Sequence, residues 1–153
     1  MSLATMNNYP QKLKETIEFF ETLEDYNDRV NVLLDYANKF KEVPAEIAVR
    51  PFNKSHLVPH CESEAYVWAK KQHDGTLKYY FAVENPSGVS AKALAEVLDD
   101  TLSGEQPEVI AQVNEDIVYK IFRQNISMGK GLGLMSMVQA VTALAKQELR
   151  TAV

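Results

Sequence analysis

A chain of 153 residues, 46% hydrophobic and 24% charged, fits one globular domain able to bury roughly 70% of its unfolded surface without staples. The net charge of −5 and the lack of any basic block beyond the short KKQ at 70–72 argue against nucleic acid as a partner. No apolar run approaches the ~20 residues that cross a membrane, and a single cysteine forms no internal disulfide, which suits a reducing cytoplasm.

The opening MSLATMNNYP has neither a basic start nor an apolar stretch, so no secretory signal is expected. Residues 1–8 read as a disordered N-terminus or a tag scar (MSL, with a natural start at Met6), and 9–153 as one domain. Pro10 opens a helical pattern as a first-turn residue, followed by Leu13, Ile17 and Phe20 at helical spacing. Asp25 is placed to cap a second helix, with Asp28 in its acidic first turn and Val30, Leu33, Leu34 and Ala37 as its apolar stripe. Periodicity then stops. The stretch KEVPAEIAVRPFNKSHLVPH carries Pro44, Pro51 and Pro59 and reads as a long irregular connection, a feature often functional in compact domains.

Period two follows. EAYVWAKK and TLKYYFAVE are rich in aromatic and β-branched residues, as strands are, and Asp74-Gly75 between them predicts a two-residue hairpin turn. SHLV reads as a third, shorter strand. After Asn85 the pattern is helical again, with Ser90 as a cap, Leu94, Val97, Leu98 and Thr101 on one face, and Gly104 as the stop. Pro107 starts a short helix, Asn114 caps the next, RQNISMGKGLG breaks the pattern, and a last helix is expected from Leu132 to Leu149. Segregated runs of this kind predict an α+β fold: a small antiparallel sheet of about three strands against N-terminal and C-terminal helices.

Most chemical signatures are missing. One cysteine and three histidines fall short of a four-ligand zinc set, although His56, His60 and Cys61 are near in sequence. GKGLG lacks the spacing of a phosphate loop and no strand precedes it. No G-x-S-x-G occurs. Tyr66, Trp68, Tyr79 and Tyr80 read as sheet packing rather than a ligand pocket. A cysteine hydrolase needs a histidine base, and neither the adjacent His60 nor the more distant His56 is fixed there by sequence.

Cys61 remains, in a loop whose backbone Pro59 restrains. It reads either as a buried small hydrophobe or as a reactive sulfur. The expected start of the last helix near Gly131, with Lys130 just before it, would favour a thiolate, while Glu62 and Glu64 would oppose one.

VPHCESEAYVWA resembles the signature of the SufE family of sulfur acceptors, which Val58, Pro59, Cys61, Ser63, Val67 and Trp68 fit. RVNVLLDYANKF is similar to the family's second helix, and Gly133-Leu134 within ISMGKGLGLMSMVQAV to its late Gly-Leu. Three positions depart: His60 replaces a usual glycine, Glu62 stands where glutamine or valine is common, and Lys130 occupies the place of an arginine. The resemblance implies the compact α+β fold shared with IscU-type cluster scaffolds. It implies a pyridoxal-phosphate cysteine desulfurase as partner, SufS-like or CsdA-like, whose persulfide sulfur passes to Cys61 and on to an Fe–S scaffold or another acceptor. On that reading the chain stimulates the desulfurase, needs no cofactor and is itself no enzyme. His60, Glu62 and Lys130 become partner-binding or thiol-tuning residues.

Chemistry agrees that one thiolate suffices to accept sulfur from an S–S bond, whereas a cluster scaffold needs several thiolates. Two other readings stay open: an interaction module with a buried, non-redox cysteine, and a cysteine hydrolase.

Overall fold

The computed structural model describes residues 8–123 and 126–151. Of the opening segment expected to be an arm or scar, residues 1–7 lie outside them.

Helix α1, Gln11–Thr22, buries Leu13, Ile17 and Phe20, the spacing of the sequence pattern, with Pro10 just outside as its N-cap. Asp25 caps α2, Tyr26–Lys39, and its side chain accepts from the N–H groups of Asn27 and Asp28. The turn between them is held from within. Arg29, 3% exposed, donates from Nη2 to the carbonyls of Phe20 and Leu23 at the C-terminal end of α1, sharing Phe20 O with the N–H of Leu23. Burial, then the nearby charge of Arg123, pulls its pKa below the usual value.

Residues 41–57 form a strap across the outer face of the sheet. The N–H of Val43 donates to Phe81 O at 2.8 Å, and Arg50 clamps both Glu42 and Glu84 with its guanidinium 4.9 Å from the Phe52 ring centre. The third strand expected at SHLV does not form. Asn53 Oδ1 accepts from Ser55 N and closes a single 3-10 turn, Lys54–His56. Beyond it Leu57 makes only an isolated bridge to Tyr66, and Pro59 has no N–H to continue a ladder.

The sheet therefore has two antiparallel strands, β1 (Ala65–Lys71) and β2 (Leu77–Val83), with Trp68 opposite Tyr80. Both faces are covered. Ala65, Val67, Tyr79, Phe81 and Val83 join the main helical core, while Tyr66, Trp68 and Ala82 pack with Val43 and Phe52 under the strap. The aromatic residues are packing residues, as expected, and Tyr79 donates its hydroxyl to Val141 O at 2.9 Å. The hairpin is one residue longer than predicted. Gln72 N donates to Thr76 O at 2.8 Å around a three-residue loop, and Gly75 takes φ +86° as such a loop requires.

Helix α3, Val89–Leu102, runs through the centre and buries residues on several sides, among them Ala91, Leu94, Leu98 and Leu102. Its N-cap is Gly88, so the predicted cap Ser90 lies inside the helix. It ends at Gly104, φ +90°, as expected. The short α4, Pro107–Ile110, and α5, Ile117–Phe122, follow. Asn114 serves the turn before α5, taking Asp116 N on its side chain, and Asp116 is the N-cap.

The last helix, α6, spans Met128–Thr151 and begins four residues earlier than predicted. GKGLG does not break it, because Gly131 and Gly133 are buried in tertiary contacts. Among the described residues no helix is long and apolar enough to cross a membrane.

Arg29→Met fills similar volume but removes the side-chain donor from the carbonyls of Phe20 and Leu23, leaving Phe20 O to the N–H of Leu23 alone. We expect a loss of roughly 2–4 kcal/mol in urea unfolding, with the native helical circular dichroism kept below the transition.

Candidate functional site: a cysteine on a glycine-backed turn

Cys61 sits on a tight turn between buried Val58 and the start of β1. Glu64 N donates back to Cys61 O at 3.2 Å. Closing the chain this sharply puts His60 at φ +60° and Glu64 at φ +49°, both in the left-handed region. The turn is tied at both ends. Val58 N donates to Ala65 O at 2.8 Å, and the segment after β2 donates from Glu84 N to Glu64 O (3.1 Å) and from Asn85 N to Ser63 O (3.2 Å).

Behind the turn lies α6. A Cβ built on Gly133 would stand 3.0 Å from His60 O and 3.4 Å from Cys61 Cα. Only a glycine lets the helix approach the backbone this closely. On the other side, a Cβ on Gly88 would stand 2.9 Å from Ser63 Oγ.

The two glycines bound a cleft of about 250 Å³. Cys61, Glu62 and Ser63 line it from the turn, Gly88 to Ala91 from the start of α3, and Gly129, Lys130 and Gly133 from the start of α6. Two helix N-termini thus open onto it, where backbone N–H groups favour negative charge. Ser127 Oγ accepts from Lys130 N at 3.2 Å at the start of α6, whereas Gly88 offers α3 no side-chain cap. Cys61 is half-buried: its side chain reaches the edge of the main core and also faces the cleft.

The structure brings together Cys61, Glu62 and Lys130, which all line the cleft. His60 is exposed and contributes its backbone carbonyl to the Gly133 contact rather than its ring to the cleft. His56 is engaged elsewhere, its ring stacked on Trp68 at 5.2 Å and its Nδ1 3.1 Å from Val67 O. Among the described residues that line the cleft none is a histidine, so a hydrolase base is not in place there. Lys130 is exposed and lies inside the first turn of α6 instead of just before the helix. A cation there opposes the helix dipole, so helix stability does not account for it.

Sequence reasoning named Ser63 and Gly133 only as matches to the family pattern, without placing them at the cleft, and missed Gly88. The signal was present for Gly129 and Gly133, which stand four apart, on one helical face.

Fold and site define a class of protein: a small α+β domain that presents one half-buried cysteine to a cleft between two helix starts. Residues 14–145 match the family model described as SufE, Fe-S metabolism associated domain. The chain belongs to the SufE family. A Plasmodium falciparum (isolate 3D7) protein named Cysteine desulfuration protein SufE is 26% identical to it over 115 residues. That match covers 72% of this chain and 44% of the relative, so the chain spans less than half of the relative's length. A Thermus thermophilus protein, described only as hypothetical and solved in solution, is 26% identical with a TM-score of 0.75. It matches over 93% of this chain and 98% of its own.

Gly133→Ala places a methyl group against rigid backbone. The expected outcome is a loss of about 1–3 kcal/mol together with faster alkylation of Cys61 as its turn is pushed off α6. His60→Gly removes a left-handed strain of about 1 kcal/mol, partly offset by a freer unfolded chain, and should leave the urea midpoint equal or higher.

Proposed function

We propose that this protein accepts sulfur from a pyridoxal-phosphate cysteine desulfurase onto Cys61, stimulates that enzyme by unloading it, and passes the sulfur on for Fe–S cluster assembly in the cytoplasm. The observation that carries the reading is the sole cysteine of a SufE-family chain, standing half-buried at a cleft instead of sealed in the core. In the transfer the Cys61 thiolate attacks the outer sulfur of the donor's persulfide. The Cys61–sulfur bond forms, the donor's S–S bond breaks, and the donor cysteine leaves as a thiolate with the electron pair. No oxidant or reductant is consumed. With no second cysteine in the chain, the product cannot collapse into an internal disulfide.

The surroundings support this chemistry. The cleft admits an approaching sulfur without exposing the turn fully to free thiols, which would strip a persulfide by exchange. The helix starts of α3 and α6 favour the negative charge that moves between the sulfurs. Glu62 and Lys130 give the rim one charge of each sign, suited to reading a partner.

Cys61→Ser tests the centre of the proposal. It should fold with an unchanged melting temperature yet gain no 32-Da adduct by intact mass when mixed with a desulfurase and cysteine, and it should not raise the enzyme's turnover. Full stimulation by this variant would overturn the reading.

Lys130 is expected to act on the partner rather than the fold. An exposed ion pair is worth about 0–1 kcal/mol, so Lys130→Ala should melt like the parent. A charge desolvated in a complex is worth more, roughly 2–5 kcal/mol, so the same variant should bind the desulfurase more weakly and stimulate it less. Lys130→Arg should retain or improve both, since the guanidinium offers a planar pair of donors. An alanine variant that binds like the parent would return Lys130 to the role of a solvated side chain.

A further inference from the structure

A second hollow opens beside the cysteine cleft. It holds about 160 Å³ and lies between α2, the start of α3 and the end of α5. The buried Leu33 and Phe122 form its floor, and Val30, Leu34, Val89 and Ser90 its walls. None of these residues is charged, whereas lysine and carboxylate side chains line the hollow between the strap and α3. Val89 and Ser90 also line the cleft, so the two hollows share a wall at the first residues of α3. Leu34 and Val89 are left 41% and 40% exposed. At the start of α6, Met128 and Leu132 are exposed as well, to either side in sequence of the cleft residues Gly129 and Lys130. Single apolar side chains in water need no account, but a contiguous apolar hollow marks a surface that something covers.

Size and position say what covers it. The hollow is smaller than the ~300 Å³ at which small-molecule pockets begin, and suits one anchoring side chain of a protein. Sulfur transfer brings the donor's outer sulfur within about 2 Å of Cys61 Sγ, so the donor protein sits over the cleft. A specific protein interface buries about 800 Å² on each partner, a patch roughly 16 Å in radius. Centred on the cleft, such a footprint takes in a hollow that shares its wall. We propose that this hollow is the docking groove for the cysteine desulfurase, which inserts an apolar side chain between Leu34 and Val89. The proposal rests on the sulfur-acceptor reading and adds to it the surface by which the partner is held. The groove touches no reacting atom. Its contacts are the same before and after transfer, so their loss weakens binding and leaves the chemistry of a bound complex intact.

The test uses the full chain, with a SufS-like and a CsdA-like desulfurase as probes. Leu34→Glu puts a good helix former at an exposed position of α2 and should melt like the parent. Its Cys61 should load from inorganic tetrasulfide at the parent's rate, followed by intact mass. It should bind the desulfurase at least about tenfold more weakly. In turnover assays the acceptor concentration for half-maximal stimulation should rise by the same factor, with the maximal rate kept. Leu34→Ala, which adds no charge, should shift both in the same direction by less. Val49→Glu, at an exposed apolar position on the strap, should bind like the parent. Parent-like affinity in both Leu34 variants would overturn the groove, as would an equal loss in Val49→Glu. A parent dimer that Leu34→Glu splits, with desulfurase binding unchanged, would overturn it too and give the hollow to a second copy of the chain. If binding depends on Leu34 but the parent gains no sulfur from either enzyme, the docking groove stands and the relay reading falls.

Discussion

Everything about the site depends on how closely α6 approaches the backbone of the cysteine turn. At Gly133 the helix lies against His60 O and Cys61 Cα with no side chain between. That contact lets a short segment make a left-handed corner after a proline, stay attached to β1, and still leave one sulfur facing outward. Hydrophobic burial alone would not do this. Cys61 touches the core, but its orientation is set by packed backbone and by the three hydrogen bonds that tie the turn to its neighbours. The cleft is then the space left over where α3 and α6 both start at the turn.

A helix that begins with three glycines carries a cost of about 1 kcal/mol for each against alanine. Two of them are accounted for by contacts: Gly133 by the cysteine turn and Gly131 by Tyr119, whose Oη would stand 3.0 Å from an added Cβ. This is also why the start of α6 was not legible in the sequence. Local propensity reads GKGLG as an interruption, and only the neighbours brought by the fold reverse it. The same applies to α3, where Ser90 has the chemistry of a cap but Gly88 occupies the position, because Ser63 and Val83 leave no room for a side chain there.

What was legible followed from short-range physics. Asp25 was readable as a cap because its partners are two and three residues away. Gly104 was readable as a stop, and the stripe of Leu13, Ile17 and Phe20 as a buried face, for the same reason. The supposed third strand failed because the chain has the composition of a strand at SHLV but not its freedom, with a 3-10 turn on one side and Pro59 on the other. At the site, Cys61 was marked by being alone, and Glu62 by adjacency. Ser63 was named only as a match to the family pattern, and its packing against Gly88, 25 positions later, left no local trace; nor did the contact of the His60 carbonyl with Gly133. The Arg50 clamp on Glu42 and Glu84 likewise joins residues up to 34 apart and left no local trace.

The strap has an optical consequence. The chain's single tryptophan, Trp68, lies beneath it, edge-on to Phe52, stacked with Tyr66 and His56, and on the face of the sheet that points away from the helical core. Its fluorescence therefore reports on the aromatic stack and on the Arg50 clamp above it, not on the cysteine cleft. Emission that changes with ionic strength reads the clamp loosening as the ion pairs are screened. Emission that changes when a partner reaches Cys61 means that the disturbance has crossed the sheet, from one of its two buried faces to the other.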